Sequence, residues 1–446
     1  MRIIIGGAGE VGTHLSKLLS QESQDIVLMD TDEDKLNFPQ YFEIMTVVGN
    51  PTSIRDLKTA GIKNADMFIA VTPEESTNIT ASILAHHLGV KRTIARVANS
   101  EYLLSKNIEL LSALGVDSLI CPEVLAAEEI AGALREAWTR QWWEIAKGKL
   151  VLLGVKVRRN APIVNKYLHE LGANGQNRNF HIVAIKRNYE TIIPYGFDQI
   201  LTDDMVYFTT TKEHIDAIKV YTGKENINVR KIIIMGGSRI ALHLCERIPH
   251  HIDVKLIEIN KEKSYSLAEK VDGNVMVIHG DGRNTDLLVQ ENIKNCDAFI
   301  ALTGNSETNI LACLAAKNFG VYKTIAEVEN LDYIQMAEKL DIGSIINKKL
   351  IASGHIYRFL LHANVSTVKS LAFAHAEVAE LVALADSKIT RKPVKDLHLP
   401  KDMTLGGRIR EGKVEIVYGD TWIQAGDHVL VFYLDTAMRK IEDYFN

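Results

Sequence analysis

The sequence has no apolar run approaching the roughly 18 to 20 residues that a helix needs to cross a bilayer. Any role at a membrane must therefore come through a partner. Cysteine is scarce, and Cys121, Cys245, Cys296 and Cys313 lie far apart with no CxxC pair. That argues against a zinc site or disulfide frame and for reduced thiols in a cytosolic protein. A surplus of positive charge is missing as well. The formal net charge is -5, so a nucleic-acid-binding surface is not favoured. No HExxH, P-loop or GxSxG occurs, which removes the commonest metalloprotease, phosphate-loop and serine-hydrolase signatures. The opening MRIIIGGAGE reads as a strand entering a glycine turn, not as a signal peptide.

What is present is a repeat. At 446 residues and 46% hydrophobic composition, the chain is too long for one core and has ample apolar material for two to four. Ile3-Ile4-Ile5 with Gly7 recurs as Ile232-Ile233-Ile234 with Gly236, an offset of about 230 residues. LMDTDEDK (28–35) recurs as LIEINKEK (256–263), and ADMFIAVTPEESTN (65–78) as CDAFIALTGNSETN (296–309). TIARVANSEY (93–102) recurs as TIAEVENLDY (324–333). Matches in the same order at nearly constant offset fix the architecture before any motif is considered.

Within each copy, short apolar runs alternate with helical stretches. RIII, DIVLMD, IMTVV, MFIAV and TIARV are the runs of the first, and Val11, Leu15, Leu18 and Leu19 share one face of a helix between them. This alternation predicts an α/β fold with a parallel sheet, covered by helices on both faces. A smaller repeat follows each unit: Gly196, Ile200, Asp204 and Val206 align with Gly419, Ile423, Asp427 and Val429. Mixed short runs and turns there predict compact α+β modules. The expected order is a Rossmann-like domain over 1–120, a small domain over 140–223, a second Rossmann-like domain over 229–348 and a second small domain over 367–446.

Gly7-Ala8-Gly9-Glu10-Val11-Gly12 is a GxGxxG between the first strand and the first helix. Its glycines permit a tight turn, close approach of a pyrophosphate and close helix–strand packing, and the helix N-terminus faces the phosphates. Asp30 ends the second strand 18 residues after Gly12, where a carboxylate accepts ribose hydroxyls. No arginine follows in TDEDK to meet a 2′-phosphate, so NAD is favoured over NADP. The plainer reading is a glycine turn beside a solvated aspartate. Thr72-Pro73 sits at the end of the fourth strand, either contacting a ligand or starting a helix capped by Thr72. Arg96 lies in an apolar strand and needs a partner, either a phosphate or a carboxylate across an intersubunit contact.

The second copy departs from this pattern. Its turn is Gly236-Gly237-Ser238-Arg239-Ile240-Ala241, with Glu258 at the place of Asp30 and Glu327 at that of Arg96. A serine where the pyrophosphate approaches leaves three outcomes open: a weaker site, a different nucleotide or an empty fold. Other chemistry is thin. Tyr102 and Lys106 form a YxxxK pair without its upstream serine, and His86-His87 and His250-His251 diverge by about 100° on a helix, which disfavours shared chelation. Trp138, Trp142 and Trp143, at i, i+4 and i+5, read as a packing face.

These blocks together resemble the TrkA family, the regulatory subunits of bacterial Trk potassium uptake systems, each with two tandem RCK units. The resemblance covers essentially the whole chain. It implies binding of NAD or NADH, with ATP or ADP as alternatives, and association with a membrane potassium-translocating subunit. It also implies a homotetramer forming a ring of eight RCK units, at the inner face of the plasma membrane. Carried over, the site comprises Gly7, Ala8, Gly9, Glu10, Val11, Gly12, Asp30, Thr72, Pro73 and Arg96, with Gly236, Gly237 and Glu258 in the second copy. No catalytic residue or metal ligand is implied. Two other classes stay open, an NAD-dependent oxidoreductase and a scaffold with a vestigial nucleotide fold.

Overall fold

The computed structural model describes all residues except 21–23, 38–42, 146–147, 173–178, 189, 361–364, 372–375, 435–436 and 446. The five apolar runs of the first copy become β1 (Arg2–Gly6), β2 (Asp25–Asp30), β3 (Ile44–Val48), β4 (Met67–Ala70) and β5 (Arg92–Arg96), and a three-residue β6 (Ser118–Ile120) follows. They pair in parallel in the order β3-β2-β1-β4-β5-β6, the doubly wound Rossmann arrangement. Ile3, Ile4 and Ile5 are fully buried in the centre. The helix Glu10–Ser20 buries Val11, Gly12, Leu15, Ser16 and Leu19, while Leu18 is only half-buried. Among the described residues, Met45 and Val48 of the edge strand β3 are 54% and 57% exposed.

An antiparallel sheet comes next, made of β7 (Gln141–Ile145), β8 (Leu150–Lys156), β9 (Phe180–Arg187), β10 (Glu190–Ile192) and β11 (Met205–Thr211) in the order β10-β9-β11-β8-β7. The plan then repeats. Strands β12 (Lys231–Met235), β13 (Asp253–Glu258), β14 (Val275–His279), β15 (Ala298–Ala301), β16 (Lys323–Glu327) and β17 (Ser344–Ile346) form a second parallel sheet in the order β14-β13-β12-β15-β16-β17. Strands β18 (Val365–Leu371), β19 (Ala376–Val382), β20 (Met403–Arg410), β21 (Lys413–Ile416) and β22 (His428–Leu434) form a second antiparallel sheet.

The tryptophan spacing is not helical. Trp142 and Trp143 are consecutive on β7, so they point to opposite faces. Trp142 enters the core of the first small domain with Phe180 and Phe208, and Trp143 enters a second cluster with Leu150, Tyr207, Ala376 and Phe432. That second cluster is shared between the two antiparallel sheets, so the small domains bury one face against each other. Thr209 Oγ1 donates to Gly406 O at 3.0 Å and Tyr418 OH to Phe180 O at 3.2 Å across the same contact.

The chain forms two compact units, Met1–Ala126 with Lys348–Tyr357, and Ala127–Asn347 with Arg358–Asn446. The segment after the second parallel sheet thus belongs to the first unit. Among the described residues no helix is long and apolar enough to cross a membrane. All four cysteines are buried free thiols, and burial pushes Cys121 up to about 11 and Cys245 to about 12.

The aligned aspartates of the small domains share one role. Asp204 and Asp427 are each 1% exposed. Arg187 grips Asp204 through Nε at 2.9 Å and Nη2 at 2.8 Å, and Arg410 grips Asp427 at 2.7 Å through both. Leu201 N and Gln424 N each donate a further bond at 2.8 Å. Burial alone would push the Asp427 carboxyl up, but Arg410 and the Gln424 N–H hold it below its ordinary 3.8. A depressed carboxylate stabilises the fold above its unfolded-state value and loses that contribution in acid. Replacing Asp427 by Ala should therefore cost about 1–3 kcal/mol at neutral pH, because the Gln424 N–H and the partly exposed Arg410 guanidinium lose their shared acceptor. In chemical denaturation the gap from the parent chain should narrow as the pH falls below about 4.

Candidate functional site

The glycine turn lies where β1 ends and the helix Glu10–Ser20 begins. Gly7 has φ +112°, and a Cβ there would lie 2.8 Å from Thr72 N. A Cβ on Gly12 would lie 1.9 Å from Gly7 O, so the helix packs on the strand through bare backbone. Gly9 differs, because a Cβ there would meet nothing within 4 Å. Its glycine is therefore not required by the protein's own packing, whereas Gly7 and Gly12 are.

Asp30 reaches this turn directly. Ala8 N donates to its Oδ2 at 2.7 Å and Asp32 N to its Oδ1 at 3.0 Å. The carboxylate is thus oriented toward the glycine turn with lone pairs to spare. Thr72 does not cap a helix; the helix starts at Glu75 after Glu74, and Thr72 Oγ1 instead donates to Asn78 Oδ1 at 2.7 Å. Pro73 is exposed in the bend between them. The partner of Arg96 is Glu123 of the same unit, at 3.4 Å, with side chains 23% and 8% exposed. No intersubunit carboxylate is needed. Tyr102 and Lys106 lie on different elements, the turn Ser100–Leu103 and the helix Ser105–Ala113.

Two features escaped the sequence reading. Asn78, 1% exposed, accepts from Thr72 N at 2.9 Å and Thr72 Oγ1, and donates to Thr72 O at 3.0 Å and Arg96 O at 2.8 Å. Asn309 makes the same four bonds to Thr303 and Glu327. The TN that ends both repeated blocks was the available signal. The other is Lys349, 7% exposed, whose Nζ lies 2.7 Å from Glu10 Oε2 at the start of the helix. Burial first, then Lys17 and Lys349, lower the pKa of nearby His14.

In the second copy Gly237 N donates to Glu258 Oε2 at 2.9 Å and Asn260 N to Oε1 at 2.9 Å, repeating the Asp30 arrangement one methylene longer. Glu258 also pairs with Lys263 at 3.0 Å. Ser238 caps the helix, accepting from Ala241 N at 3.3 Å. Ala241 carries a buried Cβ where Gly12 has none, so the two turns cannot share one backbone. A cavity of about 370 Å³ opens here, lined by Gly236, Gly237, Ser238, Glu258, Lys263 and Arg283 among others. Glu327 is 2% exposed at the end of β16. Among the described residues no His, Cys, Asp and Glu cluster could hold a metal ion.

Two parallel sheets of Rossmann order, each leading into an antiparallel module, define a tandem nucleotide-fold protein of the RCK class. The TrkA-N domain family matches residues 3–122 and 232–348. The chain belongs to the TrkA family. It is 33% identical to the Trk system potassium uptake protein TrkA of Halomonas elongata, over 99% of this chain and 97% of that one. In fold it resembles the GsuK RCK domain, with a TM-score of 0.62, 17% identity, and coverage of 100% of this chain and 94% of that one. The GsuK channel bound to NAD gives the same TM-score at 16% identity, covering 100% and 78%.

The asparagine staple yields a direct test. Asn78→Asp keeps the shape but removes both donors and buries a charge, leaving Thr72 O and Arg96 O unpaired. Denaturant unfolding should show a loss of about 2–4 kcal/mol, and Asn309→Asp a similar one.

Proposed function

We propose that the chain is a nucleotide-binding regulatory subunit of a potassium uptake system, and not an enzyme. The observation that carries this reading is the glycine turn with Asp30 bonded to Ala8 N, placed where doubly wound sheets receive dinucleotides. In this reading Gly7, Ala8, Gly9, Glu10, Val11 and Gly12 cradle the phosphates of NAD(H), or of ATP or ADP. Asp30 takes the ribose hydroxyls, and Thr72 and Pro73 border the adenosine. Gly236, Gly237 and Glu258 form the second site, where Ser238 and Lys263 alter what binds. The domain limits are those read from the sequence, 1–120, 140–223, 229–348 and 367–446. The partner is a membrane potassium-translocating subunit of the Trk type. The chain sits beneath it, peripheral at the cytoplasmic face, as a homotetramer with eight RCK units in a ring. Membership of the TrkA family supports this reading, as does the fold shared with the GsuK channel bound to NAD.

Regulation requires that a ligand bind two conformations unequally. Arg96 supplies a means. Its contact with Glu123 is long, at 3.4 Å, and a phosphate competing for the guanidinium would release a carboxylate that is only 8% exposed. Nucleotides of different charge would then favour different arrangements.

Two results should follow. In calorimetric titration Asp30→Ala should weaken NADH or ATP binding roughly tenfold or more, through loss of charge-assisted bonds. Unchanged affinity removes Asp30 from the site, and turnover of NADH with hydroxy or keto acids would make the protein an oxidoreductase. In the complex reconstituted with its membrane subunit, potassium flux should differ between ATP and ADP, or NADH and NAD, by roughly 5- to 150-fold. That difference should shrink in Arg96→Ala; equal flux with binding verified leaves a scaffold.

A further inference from the structure

A third concave site lies away from both glycine turns, between the first small domain and the second Rossmann sheet within one compact unit. It is a cavity of about 290 Å³, whose walls include Arg140, Gln141, Lys156, Lys186, Tyr207 and Asp341. That volume is at the small end of ligand pockets, which run from roughly 300 to 1,000 Å³.

Its electrostatics are lopsided. Asp341 sits in a left-handed turn with φ 52° after the helix Leu331–Lys339, and four cations converge on it. Arg140 lies at 2.8 Å, Arg158 at 2.6 Å, Lys317 at 3.1 Å and Lys156 at 3.5 Å. Asp203 shares Arg158 at 3.4 Å, and Lys186 is matched separately by Glu338 at 2.7 Å. Two more lysines feel the cluster. Burial first, then Arg158 and Arg140, lowers Lys224 to about 8; burial and Arg140 lower Lys323 to about 7. Lys323, 3% exposed, donates only to neutral partners among its described bonds, Thr139 O at 2.6 Å and Ser344 Oγ at 3.0 Å. Burial alone would raise the Asp341 carboxyl, but Arg140, Arg158 and Lys156 hold it well below the carboxylate range. The charged residues of the cavity wall are Arg140, Lys156, Lys186 and Lys339 against Asp203, Glu338 and Asp341, and four cations in all pair with Asp341.

A second observation comes from the cavity wall. The amide oxygen of Gln141 is buried with no hydrogen-bond partner. A half turn about its last torsion would present the amide N–H2 instead. Gln141 borders the cavity beside Arg140 and Lys156, so its amide N–H2 is a neutral donor within the same wall.

We propose that this cavity is a regulatory site for a small phosphorylated anion, held by Arg140, Lys156 and Lys186 with Gln141 as a neutral donor. The anion competes with Asp341 for the cations, which come from both domains, so its binding changes how the first small domain is tied to the second Rossmann sheet. Free phosphate, pyrophosphate and the phosphate of a small metabolite share this chemistry. The proposal is independent of nucleotide binding at the glycine turns.

The test is titration of inorganic pyrophosphate into the full chain by calorimetry, with Lys156→Gln, Asp341→Asn and Gly9→Ser in parallel. Lys156 is at the open end of β8, so Lys156→Gln should keep the fold, checked by circular dichroism. It should weaken pyrophosphate about tenfold or more. Asp341→Asn, where it folds, should tighten binding, and Gly9→Ser should leave it unchanged. Fructose 1,6-bisphosphate and inorganic phosphate in the same assay separate a metabolite from a free anion. No binding to the parent chain overturns the proposal. Equal affinity in Lys156→Gln also overturns it, and a loss confined to Gly9→Ser places the anion at the glycine turn instead.

Discussion

A buried asparagine bonded on both its oxygen and its nitrogen fixes the C-terminal edge of each parallel sheet. Asn78 joins the loop after β4 to the last carbonyl of β5, and Asn309 does the same after β15 and β16. Parallel strands leave their C-terminal carbonyls and loop amides without sheet partners, and buried ones must be satisfied. An amide side chain is the smallest group offering two donors and two acceptors at once. Once the loop is held, Thr72 N stands against Gly7, and the glycine turn has only one way to pass beneath it.

On that common frame the two copies carry different charge. Arg96 with Glu123 in the first becomes Glu327 at the end of β16 in the second, and Asp30 becomes Glu258 with Lys263 upon it. Asn50 and Thr52, bonded to one another at the end of β3, give way to Asp281 clasped by Arg283 at 2.7 Å. Strand order is repeated, while the backbone of the glycine turn and the charge at the sheet edge are not. Glu123, Glu258 and Glu327 are buried, so each exchange has come with a change of partner, as Glu258 with Lys263 shows.

The repeat, the five apolar strands, the glycine turn and Asp30 were legible because each is a local pattern with its own period or spacing. Strand β6 was not, since three residues cannot display a period. Trp138, Trp142 and Trp143 do pack, but Trp142 and Trp143 are on opposite faces of a strand, which pairing with β8 decides and the spacing from Trp138 does not show. Leu18 was placed on the buried face although the helix turns it partly away. Lys349 and the shared core of the two small domains depend on contacts between residues more than 200 positions apart, and no local pattern records those. The Asn78 staple was visible only as two letters in a repeated block, since asparagine near a helix start usually signals a cap.

Duplication with divergence gives the two glycine turns different surroundings, so one ligand need not fill both equally. If both turns presented the same charge, a nucleotide would shift both equally, and extra phosphates would change affinity without changing which copy is filled. Arg96, paired with Glu123 in the first copy, is replaced by a Glu327 that is 2% exposed in the second, so the two copies differ in charge at this position. The segment Lys348–Tyr357 adds a second asymmetry. It leaves the second parallel sheet yet packs in the first unit, where Lys349 holds Glu10 at the mouth of the first turn. That pair places a carboxylate and a buried ammonium together at the start of the helix Glu10–Ser20.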